Sequence, residues 1–133
     1  MRLVCISDTH GLHEELSIPD GDVLIVAGDI CGGGYRYEIR NFHSWVRNLP
    51  HKHKILIAGN HDWPFQTTPD APEISALKED VIYLQDSECE IDCVRFYGSP
   101  WQPAFYDWAF NLPRGIQLAE KWAKIPFDTD VLI

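Results

Sequence analysis

The sequence is short of basic residues and of long apolar stretches. Its 11 Lys and Arg residues stand against 20 Asp and Glu residues, a formal net charge of −9 over 133 residues. Because binding to a nucleic-acid backbone needs a basic surface, this balance argues against a nucleic-acid partner. Apolar runs such as residues 23–27 are far shorter than the roughly 20 residues that cross a bilayer. The apolar start at residues 1–6 is too short for a secretory signal, so we expect a soluble, cytoplasmic protein with no membrane partner.

Paired cysteines at metal-binding spacing are absent as well. Of four cysteines, Cys89 and Cys93 are four residues apart, with no second Cys or His pair at zinc-finger spacing. We therefore expect all four as reduced thiols. The chain also lacks linkers, repeats and low-complexity tracts, and its 45% hydrophobic and 23% charged residues are typical of a globular protein. These features predict a single domain over residues 1–133.

What the sequence does contain is a series of short β-branched apolar runs at residues 3–6, 23–27 and 55–58. Continuous runs of this length are typical of strands that are buried on both faces of a mostly parallel sheet. Between the second and the third run, apolar residues recur every three or four positions over residues 35–49, and Pro50 follows. This pattern predicts a helix, and the order strand, helix, strand predicts an α/β fold with a right-handed crossover.

The second half of the sequence carries further signals. Residues 81–84 predict a fourth strand, and residues 88–99 predict a hairpin that turns near Asp92. The Asn-Leu-Pro triplet at 111–113 predicts the cap and first turn of a helix. The inner face of that helix would carry Ile116, Ala119, Trp122 and Ala123. Residues 131–133 form one more apolar run.

A polar cluster follows each of the first three predicted strands. The clusters are Ser7-Asp8-Thr9-His10, Gly28-Asp29 and Gly59-Asn60-His61-Asp62. Because ligands of open α/β sheets lie outside the carboxyl ends of the strands, parallel strands would bring the three clusters together. Two carboxylates, an imidazole and an amide oxygen at one spot would repel one another or lack partners without a cation. This donor set suits Mn, Fe or Zn better than Ca, which predicts a metal site.

With these motifs in this order, the sequence resembles the calcineurin-like metallophosphoesterases, whose pattern is Asp-x-His, Gly-Asp and Gly-Asn-His-Asp/Glu. The segments Tyr-Gly-Ser-Pro-Trp-Gln-Pro at 97–103 and Trp-Ala-Phe-Asn-Leu-Pro-Arg-Gly at 108–115 narrow the resemblance. They are similar to the branch of the metallophosphoesterase-domain-containing proteins and of the class III cyclic-nucleotide phosphodiesterases. The resemblance covers nearly the whole chain and implies an αββα sandwich, of which this chain would form the N-terminal part.

The resemblance also implies a site with two divalent metal ions, drawn from Mn, Fe, Zn or Mg, with manganese as the expected activator. The implied ligands are Asp8 and His10 for the first ion, Asp29 as a bridge between both, and Asn60 for the second. His61 would be the general acid that protonates the leaving oxygen, with Asp62 orienting it. The implied reaction is hydrolysis of a small phosphodiester, in which a hydroxide that bridges the two ions attacks phosphorus.

The sequence departs from the family pattern towards its C-terminus. The pattern continues with a His after a strand like residues 130–133 and with a later Gly-His-x-His segment, and none of these three histidines is present. Of the seven ligands that the resemblance implies, the chain therefore has four, which predicts a C-terminally truncated domain with an incomplete second metal site. We expect impaired activity, weak metal binding and association with a second copy through an open sheet edge. The alternative is a non-catalytic remnant of the fold that serves binding or assembly.

Four further features allow two interpretations each. His13 would either line the phosphate pocket or start a helix. Residues 51–54, His-Lys-His-Lys, suggest a metal or nucleic-acid site but are expected to form a solvated loop. The glycines at 32–34 suggest a phosphate-cradling loop, but no Lys with Ser or Thr follows them, so we expect a flexible turn near the metal ions. The aromatic residues Trp101, Phe105, Tyr106, Trp108 and Phe110 would either stack a nucleobase or an aryl group or, as the favoured interpretation, form a satellite core under a long loop.

Overall fold

A parallel sheet of four strands lies at the centre of the computed structural model, which describes all 133 residues. The strands are β1 (Leu3–Ile6), β2 (Val23–Ala27), β3 (His53–Ile57) and, after two helices, β4 (Ile82–Tyr83), in the order β1-β2-β3-β4. In the register of the sheet, Leu3 lies beside Val23, and Val23 lies beside His53. The predicted bounds of β1 and β2 are confirmed. The third strand begins two residues before the predicted run, and the fourth has only two residues.

Helices cover one face of this sheet. They are α1 (Arg36–Val46), α2 (Trp63–Thr67) and α3 (Pro72–Asp80), and a short 3₁₀ turn (His13–Glu15) precedes them. The predicted periodicity of α1 is confirmed, because Ile39, Phe42 and Val46 are its buried residues. These side chains pack with Leu24 and Leu56 of the sheet, and burial of each contributes about 1.5–3 kcal/mol. The longest helix has 11 residues, and no helix is long and apolar enough to span a bilayer.

A second sheet covers the opposite face. The remaining elements are β5 (Ser87–Ile91), β6 (Val94–Gly98), β7 (Gln102–Pro103), β8 (Asn111–Leu112), α4 (Ile116–Trp122) and β9 (Val131–Leu132). Strands β5 and β6 form the predicted antiparallel hairpin, and β9 pairs with β6 in parallel. Ile25 and Ile55 of the first sheet pack against Ile91 and Phe96 of the second. The helices, the parallel sheet and the second sheet thus form three layers, which confirms the predicted α/β class.

The helix predicted from the triplet at 111–113 begins later than expected. Asn111 lies in β8, where its side-chain amide is used within the preceding loop, so it caps no helix. The helix begins at Ile116, after Gly115 with a left-handed φ of 102°. The predicted inner face is also wrong, because Ile116 is 78% exposed and Leu118 occupies the buried position.

The predicted solvated loop at residues 51–54 is wrong at its first position. His51 is buried, and its Nε2 lies 3.1 Å from the carbonyl oxygen of Pro19. His53 and Lys54 are already part of β3. The imidazole therefore helps to fix the start of a strand, at the end of the sheet opposite to the polar clusters.

Strand β9 is paired on one side only. Its partner is β6, and Leu132 on β9 is 58% exposed. The amide of Ile133 donates to the carbonyl oxygen of Tyr97, so pairing with β6 extends one residue beyond β9. The other edge of β9 carries no strand. The association of a second copy through this edge stays a prediction.

Candidate metal centre

The loops that follow β1, β2 and β3 meet at the carboxyl end of the parallel sheet and carry the three polar clusters. The amide of Asp8 donates to the carbonyl oxygen of Gly28 over 3.1 Å, and the amide of His10 donates to that of Asp29 over 3.0 Å. Pairing between β1 and β2 thus continues into the loops themselves. The expectation that parallel strands bring these clusters together is confirmed.

Three of the predicted ligands have left-handed backbone conformations. The φ angles are 52° at Asp8, 44° at His10 and 54° at Asp29. Such conformations cost about 1–3 kcal/mol for residues other than glycine and are concentrated at functional sites. Here the hydrogen bonds between the two loops hold them in place. The strained backbone therefore sets the direction in which the predicted ligand side chains point.

The glycines of two motifs allow the β2 and β3 loops to approach closely. A Cβ atom on Gly28 would lie 2.8 Å from the amide nitrogen of Gly59, and one on Gly59 would lie 2.1 Å from Oδ1 of Asp29. Both distances are shorter than real Cβ contacts. In the space left by the missing side chains, Asp29 Oδ1 accepts the backbone N–H of His61 over 2.9 Å. Gly59 is therefore required for the position of Asp29.

His10 lies between two carboxylates without a hydrogen bond to either. Its Nε2 is 3.9 Å from Oδ1 of Asp8 and 3.9 Å from Oδ2 of Asp29. Two atoms that bind one ion at about 2.1 Å each lie at most about 4.2 Å apart, so both distances fit ligands of a single divalent ion. The ligand atoms of His10, Asp29 and His61 all lie within 4.8 Å of one another. The residue predicted as general acid therefore lies in the same cluster as the predicted ligands.

Two adjacent carbonyl groups fix the two imidazoles. Nδ1–H of His10 donates to the carbonyl oxygen of Cys31 over 3.0 Å, and Nδ1–H of His61 donates to that of Gly32 over 2.8 Å. The ring centroids are 4.6 Å apart at an interplanar angle of 78°. Since Nδ1 is engaged in both rings, Nε2 is the nitrogen left for the site. Metal-binding histidines in proteins commonly have this second hydrogen bond.

Asp62 fixes the loop that carries these carbonyl groups. Its side chain is fully buried and accepts the backbone N–H groups of Ile30, Cys31 and Gly59 over 3.4, 2.9 and 2.8 Å. Burial raises the pKa of Asp62, and the amide donors of Gly59 and Cys31 only partly oppose this. The predicted contact of Asp62 with the imidazole of His61 is not present. The carbonyl of Gly32 takes that role, and Asp62 acts one step further away, on the backbone.

Glu38 fixes the same loop from the side of α1 and was missed by the sequence analysis. Its carboxylate accepts the amides of Gly32, Gly33 and Tyr35, the first over 2.8 Å and the last over 2.7 Å. Burial alone would raise its pKa, but these backbone donors outweigh burial and lower it. The glycines at 32–34 are therefore fixed by hydrogen bonds and do not form the predicted flexible turn. The spacing Tyr35-x-x-Glu38 at a helix start, as in a capping box, was the available signal.

A cavity of about 250 Å³ opens beside the cluster. Its lining includes Asp8, Asp29, Asn60, Ser99, Trp101 and Gln102. The indole N–H of Trp101 donates to Asp86 over 2.8 Å, and Lys121 lies 4.0 Å from the centre of the indole ring. Asn60, predicted to bind the second ion, thus shares a cavity with the predicted bridge Asp29. Asp86, which anchors the opposite wall, was not predicted.

The aromatic segment at 101–110 divides into three parts. Phe110 is fully buried in the main core, and Trp101 lines the cavity. The remaining rings, Phe105, Tyr106 and Trp108, contact one another and form what we call the aromatic corner. Phe105 is 62% and Tyr106 is 75% exposed, so the favoured interpretation of a satellite core is wrong for this corner. The ring of Trp108 lies 5.3 Å from that of His61.

His13 does not line the cavity. It begins the 3₁₀ turn, and its ring is buried against Phe42 and Trp45 of α1, with centroid distances of 5.3 and 5.1 Å. Burial lowers the pKa of His13, because the charged imidazolium loses its hydration there. Of its two interpretations, the helix-start role is the one that the structure shows.

Comparison with known proteins agrees with this arrangement. The family model of the calcineurin-like phosphoesterases matches residues 1–128. The chain belongs to the calcineurin-like phosphoesterase family. A human relative, metallophosphoesterase domain-containing protein 1, is 44% identical over 99% of this chain and 47% of its own length. Two relatives from Caenorhabditis elegans, UPF0046 protein T07D4.2 and UPF0046 protein K07C11.7, are 37% and 39% identical over the whole chain and cover 41% and 50% of their own lengths.

The chain spans about half the length of the curated relatives it matches. Membership of this family of dinuclear, metal-dependent phosphoesterases supports a phosphoesterase-type function. The cluster of His10, Asp29 and His61 is the candidate metal-binding group of this family member.

Proposed function

We propose that this chain carries the metal-binding and proton-donating residues of a phosphodiester hydrolase. One observation carries the proposal: Nε2 of His10 lies 3.9 Å from a carboxylate oxygen of Asp8 and of Asp29, too far for a hydrogen bond and within the range of two ligands of one ion. The Nδ1–H bond of His10 to Cys31 keeps Nε2 unprotonated in the neutral ring, as a ligand must be.

The donor set fits divalent cations of the type predicted, Mn, Fe, Zn or Mg. Asp8, His10 and Asp29 would bind the first ion, and Asp29 and Asn60 would bind the second. Oδ2 of Asp29 faces His10, and Asn60 lines the cavity that Asp29 also lines. When bound, such ions activate water at neutral pH and stabilise negative charge on a phosphoryl group. Asp62 and Glu38 hold the loop on which these positions depend.

His61 is the proposed general acid. When its ring is protonated, Nδ1–H is held by the carbonyl oxygen of Gly32 and Nε2–H is free to pass to the leaving oxygen of the substrate. The contacts with His10 and Trp108 on two sides fix the plane of the ring. Proton transfer from a group positioned in this way contributes about 10²- to 10⁴-fold to a rate.

The test is Mn²⁺-dependent hydrolysis of bis(p-nitrophenyl) phosphate by this 133-residue chain. We expect turnover that is lost in Asp29→Ala and kept in Asp70→Ala, a matched change at an exposed aspartate away from the cluster. Calorimetric titration with Mn²⁺ should show the same contrast in metal affinity. A folded chain that binds Mn²⁺ but hydrolyses nothing would contradict the proposal.

The role of His61 is tested by changing the leaving group. Diphenyl phosphate has a poorer leaving group than bis(p-nitrophenyl) phosphate and depends more on protonation of the leaving oxygen. The variant His61→Ala should therefore lose more activity on diphenyl phosphate than on the nitrophenyl ester. Equal losses on both substrates would argue for metal binding by His61 instead.

A second candidate is a non-catalytic metal-binding module that serves binding or assembly. It is favoured by the small number of predicted ligands for the second ion, Asn60 and the shared Asp29. Here we expect one Mn²⁺ per chain and no hydrolysis of either ester.

We further propose that the chain is cytoplasmic and folds as one domain. We also propose that it pairs with a second copy through β9. A monomer in light scattering at high concentration would contradict this pairing.

A further inference from the structure

The aromatic corner, formed by Phe105, Tyr106 and Trp108, exposes more apolar surface than its position requires. Phe105 and Tyr106 are 62% and 75% exposed, while Phe110 of the same segment is fully buried. Rings of Phe and Tyr contribute to stability mainly through burial, so exposed and mutually packed rings in a loop are commonly part of a binding surface. Stability of the fold therefore does not explain the exposed rings, and binding of a ligand would explain them.

The backbone below the corner is fixed on both sides. The side-chain amide of Asn111 donates to the carbonyl oxygens of both Phe105 and Tyr106 over 3.0 Å. At the base of the loop, the amide of Ala109 donates to the carbonyl oxygen of Asn60 over 3.0 Å. The amide of Phe110 donates to the side-chain oxygen of Gln66. The loop that exposes the rings is thus joined directly to the polar cluster after β3.

This fixed backbone includes a strained position. Tyr106 has a left-handed φ of 54°, which is uncommon for a bulky aromatic residue and costs about 1–3 kcal/mol. Asn or Gly would adopt this conformation more readily. Because Tyr106 is 75% exposed, packing of its side chain offsets little of this strain. The strained conformation therefore serves to expose the tyrosine ring.

The corner adjoins the proposed general acid. Trp108 contacts His61, with 5.3 Å between the ring centroids, and Phe105 and Tyr106 lie 5.6 and 5.2 Å from Trp108. Phe105 is nearly perpendicular to both neighbouring rings, at interplanar angles of 68° and 71°. The three rings thus form one continuous aromatic surface, in which Trp108 contacts His61 and the two outer rings are exposed.

We propose that the aromatic corner binds the planar aromatic part of a phosphoester whose phosphoryl group lies at the metal centre. The corner would stack the ring attached to the leaving oxygen, because it adjoins His61, which protonates that oxygen. This inference rests on the proposed function and adds the class of substrate to it, an aryl or heteroaryl phosphoester in preference to an alkyl one.

Binding of two phosphonates that cannot be hydrolysed tests the proposal without turnover. Calorimetric titrations of the Mn²⁺-loaded chain with phenylphosphonate and with methylphosphonate separate the ring from the phosphonate group. We expect phenylphosphonate to bind about 10-fold more tightly, since stacking on an aromatic side chain is worth about 1–3 kcal/mol. The variants Phe105→Ser and Tyr106→Asn should lose about 5- to 10-fold in affinity for phenylphosphonate and keep that for methylphosphonate.

Phe127→Ser is the matched control, because Phe127 is also exposed and makes none of these ring contacts; it should leave both affinities unchanged. Thermal unfolding of Tyr106→Asn should occur at the same or a higher temperature than in the parent chain, which excludes loss of the fold as the cause. Equal affinities of the parent chain for both phosphonates, or an equal loss for both in the variants, would overturn the proposal that the aromatic corner binds the ring. The proposed function would then remain intact. No binding of either phosphonate would overturn both.

Discussion

The two regions that flank His61, the metal centre and the aromatic corner, are held in place by different hydrogen-bonding groups. On the side of the metal centre, side-chain carboxylates hold the backbone: Asp62 and Glu38 accept amides of the loop after β2, and carbonyls of that loop hold the imidazoles. On the side of the aromatic corner, the amide of Asn111 holds the backbone and the rings of Phe105 and Tyr106 face solvent.

This difference indicates which groups are available to a ligand. In the loop after β2, most polar groups are used within the protein, so the loop is ordered before anything binds. In the aromatic corner the hydrogen bonds hold the backbone, while the rings of Phe105 and Tyr106 remain largely exposed. The nitrogen atoms Nε2 of His10 and His61 lie at the boundary, since each ring is held at one nitrogen and free at the other. The two regions should therefore respond differently to the same kind of substitution.

The largest expected effect is that of Asp62→Ala. The change leaves the backbone N–H groups of Ile30, Cys31 and Gly59 without their acceptor. The bonds of Cys31 and Gly59 are the short ones, and each such loss costs about 1–3 kcal/mol, so we expect a loss of about 2–6 kcal/mol in the free energy of unfolding. Urea denaturation measures it. The matched change in the other region, Asp107→Ala, affects an exposed carboxylate and should cost less than about 0.5 kcal/mol. Similar losses in the two variants would contradict the contrast.

Gly59→Ala should have the next largest effect. Its Cβ would lie 2.1 Å from Oδ1 of Asp29, so the two loops must separate, at a cost of about 2–3 kcal/mol. Because Asp29 moves, the affinity for Mn²⁺ should fall as well. Gly115→Ala is the control: its Cβ would contact nothing within 4 Å, so only the backbone strain of φ 102° and ψ −137° remains, about 1–3 kcal/mol, and the Mn²⁺ affinity should be unchanged. An Mn²⁺ affinity unchanged in Gly59→Ala would show that the close approach does not position Asp29.

Glu38→Gln should have a moderate effect that depends on pH. At neutral pH we expect a loss of about 1–2 kcal/mol, because charge-assisted hydrogen bonds to the amides at 32–35 become neutral ones. The native pKa of Glu38 is lowered, so its contribution is complete above the unfolded value of about 4.5 and is lost as the pH falls through the native pKa.

The difference in melting temperature between the parent chain and Glu38→Gln should therefore decrease on acidification below about pH 4.5. Glu79→Gln, at an exposed glutamate of α3, supplies the control and should melt like the parent chain at each pH. A difference that grows on acidification would contradict the assigned hydrogen bonds.

The smallest expected effect is that of a substitution on the exposed face of α4. Ile116→Ser should change the free energy of unfolding by less than about 0.5 kcal/mol, because the side chain is already in water. Leu118→Ser, two positions along, removes a buried side chain and should cost about 2–3 kcal/mol. Thermal unfolding of the two variants would decide between the observed face and the one predicted from the sequence.

The sequence predicted the parallel strands and the hairpin well because their signals are local. The apolar runs at 3–6 and 23–27 coincide with β1 and β2, and the hairpin turns where Asp92 and Cys93 have the left-handed φ that turns require. Consecutive strands tend to lie side by side, as β1, β2 and β3 do here, which is why the juxtaposition of three distant polar clusters was predictable.

The start and face of α4 could not be predicted in this way. The triplet at 111–113 has the composition of a helix start, but the amide of Asn111 is committed to two carbonyl groups in the aromatic loop. Which face of α4 is buried depends on the elements that pack on it, and Ile116 and Leu118 are both apolar. A capping preference of about 1 kcal/mol is readily overridden by two hydrogen bonds elsewhere.

By itself, the sequence determined the order of the strands and the residue types at their carboxyl ends, because apolar runs and strand ends are properties of neighbouring residues. Only the tertiary structure decided how these side chains are held. The acceptors and donors that fix them, such as the carboxylate of Asp62 under the amide of Cys31, belong to loops about 30 residues apart. The exposure of the aromatic corner was likewise decided by folding, since the same aromatic residue type is buried at Phe110 and exposed at Phe105.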